Sequence, residues 1–393
     1  MKTDLFIALY PAPRRLPLAK VLPVALLALS LLLCGCNLRR EYRAALVLSD
    51  IAAGAAPSRL KNSSSEPRIS KVSFPAGGRT VGGDLYLSVA KPAAAVLLLP
   101  GAAEKGKNDP RLQAFARSLA RGGFAVLVPD FESFRSLKVN SGDITGTADA
   151  FAWLSAREDL APGGRAGMFS FSYASGPAIL ASLHPRIAGR VRFIMAVGGY
   201  YDVKQVLTFF TTGYFLDGGR WRRMEPNSYG KWIFVLSNLE RLSEASDRKL
   251  FEEMALRKLK DQDAAVDDLA DRLTAEAKNL YLFVENRDPS LATHLLSGLP
   301  ERIRREIRAL DLSGYDLSRA RSRFILVHGY DDDIIPYTQS EALAKNLPRG
   351  RVRLYLVHGL QHVDLEPGLI DKFRLWRAIS ALLSEAEETR RAE

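Results

Sequence analysis

The sequence predicts an α/β fold in which a mostly parallel, doubly wound sheet is covered by helices on both faces. Apolar runs of strand length alternate with amphipathic helical patterns along residues 70–200 and again after residue 322. Two of these runs, residues 94–99 and 124–128, are apolar throughout, as strands buried on both faces are. With 393 residues, 47% of them apolar, the chain can also bury a large core.

The first elements follow one another as strand, helix and strand. Strands are expected over residues 71–74, 84–89, 94–99 and 124–128. A helix over residues 110–121 separates the last two, because Asp109 can cap its first turn, Pro110 suits the first helical position and Gly122-Gly123 ends it. The segment from 191 to 197 is a further buried strand by the same reasoning.

Residues 165–177, which read RAGMFSFSYASGP, predict a sharp turn between a strand and a helix. The apolar run stops at Ser170, and an apolar helical pattern follows Pro177. A tight turn of this kind exposes the hydroxyl of its central serine when the residues two before and two after it are small. Ser170 and Ala174 meet that condition, so Ser172 is a candidate nucleophile. The alternative is an ordinary surface turn.

Two polar turns follow the last two predicted strands. Residues 323–336 read RFILVHGYDDDIIP, and residues 351–363 read RVRLYLVHGLQHV. A serine hydroxyl becomes a good nucleophile when an imidazole removes its proton, and the imidazole needs a carboxylate to fix its tautomer. The two turns supply an aspartate and a histidine, in that order after the serine.

Taken together, these three segments resemble the α/β-hydrolase superfamily, particularly its dienelactone-hydrolase-like and esterase branches. The resemblance runs from about residue 70 to the C-terminus and is interrupted by a large insert. It implies a triad of Ser172, Asp332 and His362, since GYDDDIIP matches the family's G-x-x-D-x-x-x-P and GLQH matches G-x-x-H. It also implies that the backbone N–H groups of Ala102 and Tyr173 form the oxyanion hole. The alternative is that the turn with Ala102 merely ends a strand.

Other residues compete for the acid and base roles. Asp331 and Asp333 are one residue out of register with Asp332, and Asp202 ends the preceding strand, where some family members place the acid. His358 lies at the end of the last strand and is the alternative to His362. These two histidines are four residues apart, but the intervening glycine argues against a helix that would bring both onto one metal.

The resemblance implies a serine hydrolase that acts on a carboxylic ester of a small-molecule acyl substrate through an acyl-enzyme. Peptide hydrolysis and acyl transfer to an alcohol use the same triad. A catalytically silent binding protein of this fold is a further alternative, because Ser170 and Ala174 replace the two glycines of G-x-S-x-G and Pro100 replaces a common histidine. No metal and no cofactor are expected.

Residues 201–321 form an insert that is too long for an ordinary loop. Apolar residues at helical spacing occur over residues 251–259, 266–273 and 303–310. By resemblance this insert is a helical cap that roofs the active site. Apolar side chains early in it are candidates either for substrate contact or for the core of the cap: Leu207, Phe209, Phe210, Tyr214 and Phe215.

The N-terminus resembles a bacterial lipoprotein signal. Basic residues precede an apolar run from Val21 to Leu33, which is short for a membrane span and suits a signal peptide. The following LCGC resembles a lipobox, in which cleavage after Gly35 leaves a lipidated Cys36. The chain is then expected in the bacterial cell envelope, anchored to a membrane on its extracytoplasmic side. The alternative is an uncleaved signal anchor.

The expected organisation has five parts. They are a signal peptide (1–35), a lipidated N-terminus and tether (36–69), the first part of the hydrolase core (70–200), the cap (201–321) and the second part of the core (322–393). Within the segment 36–69, residues 41–53 favour a short amphipathic helix, and residues 54–68 favour a polar tether.

Cysteine content and charge agree with export to a membrane surface. Both cysteines of the chain, Cys34 and Cys36, lie in the signal region, so the remainder cannot form an internal disulfide. The formal net charge is +11, and removal of residues 1–35, with four basic side chains and one acidic, leaves +8. A basic surface suits an anionic membrane, but an ordinary solvated surface of mixed sign is the favoured interpretation of this charge. Lysine and arginine are scattered, so nucleic-acid binding is not expected.

We predict that Cys36→Ser blocks both lipid attachment and signal-peptide removal, because the thiol carries the diacylglycerol and its new amino group the third chain. One acyl chain binds a bilayer only weakly, whereas several chains anchor it firmly. Radiolabelled palmitate incorporation and N-terminal mass analysis measure both steps. A wild-type chain that keeps Met1 and carries no lipid would establish the signal-anchor alternative.

Overall fold

The computed structural model describes residues 38–102, 105–362, 364–365 and 367–387. The predicted signal peptide and Cys36 lie outside these residues. None of the helices in the described part of the chain is long and apolar enough to cross a membrane.

A sheet of eight strands forms the centre of the molecule, in the order β1-β2-β4-β3-β5-β6-β9-β10. Only β2 runs antiparallel to its neighbours, and the six strands from β4 to β10 are parallel. The strands of the chain are β1 (Arg68–Ala76), β2 (Arg79–Leu87), β3 (Ala94–Leu99), β4 (Phe124–Pro129), β5 (Ala166–Phe171), β6 (Phe193–Val197), β7 (Tyr214–Asp217), β8 (Arg220–Arg223), β9 (Arg323–Gly329), β10 (Val352–Val357), β11 (Leu360–Gln361) and β12 (Asp364–Leu365). The predicted fold class is confirmed.

Helices cover both faces of this sheet and fill the insert. They are α1 (residues 38–53), α2 (Arg59–Asn62), α3 (Pro110–Arg121), α4 (Glu132–Arg135), α5 (Gly142–Ser155), α6 (Ser175–Ser182), α7 (Val203–Thr212), α8 (Ser228–Asn238), α9 (Ala245–Lys260), α10 (Asp267–Ala270), α11 (Ala275–Glu285), α12 (Pro289–Ser297), α13 (Glu301–Leu310), α14 (Thr338–Asn346) and α15 (Leu369–Glu387). Short 3₁₀ turns occur at Gly106–Asn108, Pro162–Gly164, Ser172–Ala174, Leu239–Arg241, Leu312–Gly314 and Leu317–Arg319.

Two apolar cores lie on opposite faces of the sheet. On one face α5, α6 and α14 pack against the strands through buried side chains that include Phe151, Ile179 and Leu343. On the other face α1, α3 and α15 do so through Val47, Leu119 and others. Strands β3 and β4 are buried along their whole length, which explains their uninterrupted apolar sequences.

The N-terminal segment differs from the expected tether, because it is bound to the core. Helix α1 buries Ala44 and Val47, and its Asp50 side chain is fully buried. That carboxylate accepts hydrogen bonds from Lys61 Nζ and Ser118 Oγ, both at 2.7 Å. A buried charge requires such partners. Residues 54–68 are therefore held against the domain rather than extended from it.

The insert between β6 and β9 contains helices α7 to α13 around a core of its own, as expected of a cap. The pattern at residues 266–273 forms only the four-residue helix α10, since Thr274 then starts α11 by accepting a hydrogen bond from Ala277 N. The hairpin of β7 and β8 was not predicted. Its signal is the Gly218-Gly219 turn, where both residues have positive φ.

Candidate active site

The predicted site residues follow the carboxyl ends of parallel strands in the sheet. Ala102 comes after β3, Ser172 after β5, Asp332 after β9 and His362 after β10. Strands β3, β5, β6, β9 and β10 are consecutive neighbours in the sheet. Parallel strands end at one edge, so the sheet topology alone gathers these residues at that edge, where open α/β sheets bind ligands.

Ser172 lies at a sharp turn between β5 and α6. Its φ of 51° is in the left-handed region, which costs energy for a residue with a side chain and is characteristic of functional turns. Ser172 stays partly exposed, whereas Ser170 and Ser175 are fully buried and their hydroxyls lie 3.3 Å apart. Of these three serines, only Ser172 is accessible to a substrate.

The structure brings Asp332 and His362 together. The Nδ1 atom of His362 lies 3.2 and 3.1 Å from the two carboxylate oxygens of Asp332. A carboxylate can only accept, so Nδ1 carries the proton and Nε2 is left as the acceptor in the neutral ring. This is the tautomer that a general base in a serine triad needs.

His328 is a further partner of Asp332 that the sequence did not reveal as part of the site. Its fully buried ring lies with Nε2 2.8 Å from the Ile335 carbonyl oxygen and 3.2 Å from Asp332 Oδ2. Nε2 is therefore protonated and faces both acceptors, while Nδ1 lies 2.7 Å from the Ser340 hydroxyl. The signal was a polar side chain within the apolar run of β9.

Asp332 is held as an anion by its surroundings. Burial by itself raises the pKa of this carboxyl, but the charge of His362 and hydrogen bonds from His328 and His362 outweigh it and hold the pKa of Asp332 well below its usual range. The backbone N–H groups of Ile334 and Ile335 also donate to Asp332 Oδ1, at 3.0 and 2.8 Å. A permanent anion suits the task of stabilising an imidazolium.

The competing aspartates have other partners. Asp331 accepts a hydrogen bond from Gly359 N at 2.8 Å, and the carbonyl of Asp333 accepts one from Asn227 N in the cap. Asp202 caps α7 by accepting from the N–H groups of Lys204 and Gln205.

His358, the alternative base, is 62% exposed at its side chain. Its ring stacks on Tyr330 with centroids 4.5 Å apart, and its Nδ1 lies 4.0 Å from Asp371. In the structure it is Asp332 and His362, rather than Asp202 and His358, that pair.

Gly198, which follows β6, explains how the pair fits at the sheet edge. A β-carbon on this residue would lie 3.3 Å from Asp332 Oδ2 and 3.6 Å from His362 Nδ1. Its φ of +63° is also one that glycine adopts readily. A side chain here would press on both members of the pair.

The loop after β3 lies against the serine turn. A β-carbon on Gly101 would be 3.2 Å from Ser172 Cβ and 3.8 Å from its Oγ. Ala102 is the next residue, so its backbone reaches the neighbourhood of the serine. Tyr173 follows Ser172 at the start of the 3₁₀ turn and the helix. This arrangement is consistent with the expected oxyanion hole, because amides at a helix start favour negative charge.

The side chain of Tyr173 fastens the serine turn to the segment before α5. Its hydroxyl lies 2.8 Å from both Asp143 Oδ2 and the Asn140 carbonyl oxygen, and it accepts from Asn140 N at 3.0 Å. Burial and the charge of Asp143 raise the pKa of Tyr173 well above its ordinary value, so the hydroxyl stays protonated. The ring of the residue beside the candidate nucleophile is thus fixed in place.

The segment before α5 is also hydrogen-bonded to the cap. Ser237 Oγ donates to the Leu137 carbonyl oxygen at 2.7 Å and accepts from Val139 N at 3.1 Å. Ser141 N donates to Glu306 of α13. Residues 137–141, which we call the strap, therefore join the cap to Tyr173, and no part of this connection was predicted.

The cap also touches the turn that carries Asp332. Asn227 N donates to the Asp333 carbonyl oxygen at 2.8 Å. The ring of Phe215 lies edge-on to Tyr337, with centroids 6.1 Å apart. Of the apolar residues expected either to line the site or to form the cap core, Leu207 belongs to the core of the insert and Phe210 packs against it. Phe209 and Phe215 are also buried, with ring centroids 5.8 Å apart.

Asp143 predicts a pH dependence of stability. Burial raises the pKa of its carboxyl to about 6, against the hydrogen bonds from Ser133 and Tyr173, and the charge of Glu306 adds to the rise. Between about pH 4 and pH 6 the folded chain therefore binds more protons at Asp143 than the unfolded chain does, so this group's contribution to the free energy of unfolding falls as the pH rises through that window.

Asp143→Asn, which keeps the size and polarity of the side chain, should remove this decrease. Denaturant unfolding of wild type and variant at several pH values from 4 to 7 measures it. Asp263→Asn, at an exposed position, is the control and should leave the profile unchanged. Identical pH profiles for wild type and Asp143→Asn would contradict the prediction.

Comparison with known structures places this fold. It is similar to that of a proposed hydrolase from Legionella pneumophila, with a TM-score of 0.56 and 12% sequence identity over 84% of this chain and 93% of that chain. An esterase from Pyrobaculum calidifontis (TM-score 0.45, 14% identity, 89% of this chain and 92% of that one) and a dienelactone hydrolase from Anabaena variabilis (0.42, 16%, 82% and 97%) are more distantly similar. No protein-family model and no curated protein sequence matches. The chain has the α/β-hydrolase fold.

Proposed function

We propose that this chain is a serine hydrolase that cleaves carboxylic esters through an acyl-enzyme at Ser172. The observation that carries the proposal is the 3.1 Å contact between Asp332 and Nδ1 of His362. This pair lies at the sheet edge at which Ser172 occupies a left-handed turn. A nucleophile, a base with the required tautomer and an ionised acid are then present in one place.

In the proposed reaction, Ser172 Oγ attacks the ester carbonyl carbon while His362 Nε2 takes the hydroxyl proton. The negative charge moves to the carbonyl oxygen, where the N–H groups of Ala102 and Tyr173 stabilise it. His362 then gives its proton to the leaving alcohol, and an acyl-serine remains. Water then attacks the acyl carbon and transfers a proton to His362. The carboxylic acid product departs as this proton passes from His362 to Ser172 Oγ. Asp332 stays ionised throughout.

The contacts around the triad support this sequence of steps. Four donors among the described residues surround the Asp332 carboxylate, so it is oriented before substrate binds. Tyr173 is held by its ring, so its amide need not reorganise during the reaction. Preorganised dipoles of this kind are a major source of rate acceleration in enzymes.

The lipid anchor is a second part of the proposal. It rests on the apolar run and the LCGC sequence ahead of the domain, with cleavage before Cys36. The enzyme would then act at the extracytoplasmic face of a bacterial membrane. That α1 is packed on the core supports a domain held close to its anchor.

Fluorophosphonate labelling tests the nucleophile. Intact-mass analysis should show one adduct on the wild-type chain and none on Ser172→Ala, because Ser172 is accessible whereas Ser170 and Ser175 are buried. Ser170→Ala and Ser175→Ala are matched controls, and both should retain the adduct. Labelling of the Ser172→Ala chain would show that the assignment is wrong.

Alanine substitutions of His362 and His358 should show which of the two histidines is the general base. His362→Ala is expected to lower turnover by about 10⁴ or more, as triad substitutions do, with little change in thermal stability. His358→Ala removes an exposed ring and should change turnover far less. Steady-state kinetics on a chromogenic ester measures both variants. The reverse order would move the base to His358, and a nearly silent Asp332→Asn would remove Asp332 as the acid.

A further inference from the structure

An exposed apolar surface covers the beginning of α1 and of α15. On α15, Leu369, Ile370 and Phe373 are 84%, 70% and 55% exposed, and on α1, Leu38 and Tyr42 are 69% and 62% exposed. These five side chains are here called the α1–α15 patch. Single exposed apolar residues are ordinary, but a group of large ones marks an interaction surface.

The two halves of the patch are joined by direct contacts. Trp376 Nε1 donates to the Glu41 carbonyl oxygen at 2.8 Å, and Ser380 Oγ donates to the Glu41 carboxylate at 2.6 Å. The Trp376 ring lies against Phe373, with centroids 5.2 Å apart. Glu41 directly precedes Tyr42 on α1. The start of α1 therefore lies beside the middle of α15, next to the turn that carries Phe373.

Within the two helix segments that carry the patch the exposed charges have one sign, whereas Glu387, at the far end of α15, pairs with Arg40 and Arg43 of α1. In the stretches 38–43 and 369–377, the exposed charged residues are Arg39, Lys372 and Arg377, all basic. The acidic residues there have partners, since Asp371 pairs with Arg374 at 3.0 Å and Glu41 with Ser380. Apolar side chains bordered by arginine and lysine are typical of protein surfaces that rest on anionic lipid.

The start of α15 also borders the candidate active site. Asp371 lies 4.0 Å from Nδ1 of His358, at the end of β10. The His358 ring stacks on Tyr330, which is two residues before Asp332. The α15 part of the patch thus lies at the same edge of the sheet as the triad.

We propose that the α1–α15 patch docks onto the surface of an anionic lipid bilayer and turns the triad edge of the sheet towards that membrane. The inference rests on the proposed anchor in one respect. Cys36 is two residues before Leu38, so a lipid on it can be at most about 7 Å of chain from the patch. The anchor would hold the domain at the membrane, and the patch would set its orientation.

A second copy of the chain fits this surface less well. A symmetric pair would bring the patch of one copy against that of the other, as two-fold interfaces do. The basic side chains on the rim would then face their own counterparts without acidic partners among the described exposed residues of these turns. An anionic bilayer supplies both the apolar interior and the opposite charge.

Site-specific photo-cross-linking of the full chain in its bacterial membrane tests the docking. We replace Phe373, or in a second variant Leu369, with p-benzoylphenylalanine and irradiate cells whose phospholipids carry radioactive phosphate, which the lipid on Cys36 lacks. Leu256 and Leu291 on cap helices α9 and α12, 59% and 49% exposed, are matched control positions. Positions 373 and 369 should give phospholipid adducts several-fold more strongly than positions 256 and 291.

Other results would overturn the proposal. They are a cross-link to a second copy, a cross-link to another protein, equal lipid labelling at all four positions, or no lipid adduct at 373 and 369. The cross-linking experiment does not depend on catalysis. It therefore still tests the docking if labelling of the Ser172→Ala chain shows that the proposed nucleophile is wrong. If palmitate labels Cys36 but positions 373 and 369 give no lipid adduct, the anchor stands and the docking fails.

Discussion

The carboxylate of Asp332 is the point on which the rest of the candidate site depends. It is 1% exposed, so its charge must be compensated by neighbouring donors. Two backbone amides orient one oxygen, and His328, from inside β9, approaches the other. His362 then completes the set from the next turn of the chain. The buried carboxylate of Asp332 thus fixes the position and the tautomer of the His362 ring, at the edge of the sheet that also carries Ser172.

A second constraint reaches the site from the cap. The strap of residues 137–141 is bonded on one side to Ser237 and Glu306 and on the other to the ring of Tyr173. A movement of the cap would therefore displace the strap and, through it, the Tyr173 side chain next to the candidate nucleophile. Asp143, a hydrogen-bond partner of the Tyr173 hydroxyl, is partly protonated near pH 6, so the charge at this connection changes with pH.

Several features of the fold could be predicted because they depend on local patterns. The helix of residues 110–121 has its cap, its proline and its glycines in consecutive positions, and the structure places it at Pro110–Arg121. Strands β3 and β4 are apolar throughout because both their faces are covered. The binding of residues 54–68 to the core could not be predicted in this way, since it depends on the buried Asp50, which joins Lys61 to Ser118, 68 residues away from Asp50.

By itself, the sequence determined the parallel α/β fold, the presence of a helical insert, and the order in which a serine, an aspartate and a histidine follow the ends of strands. These depend on neighbouring residues and on the rule that parallel strands end at one edge. Only the tertiary structure decided which aspartate meets which histidine, that His328 supports the pair and that the strap joins cap and serine turn. Those contacts link residues brought together by packing, and their distances of about 3 Å leave no trace in local patterns.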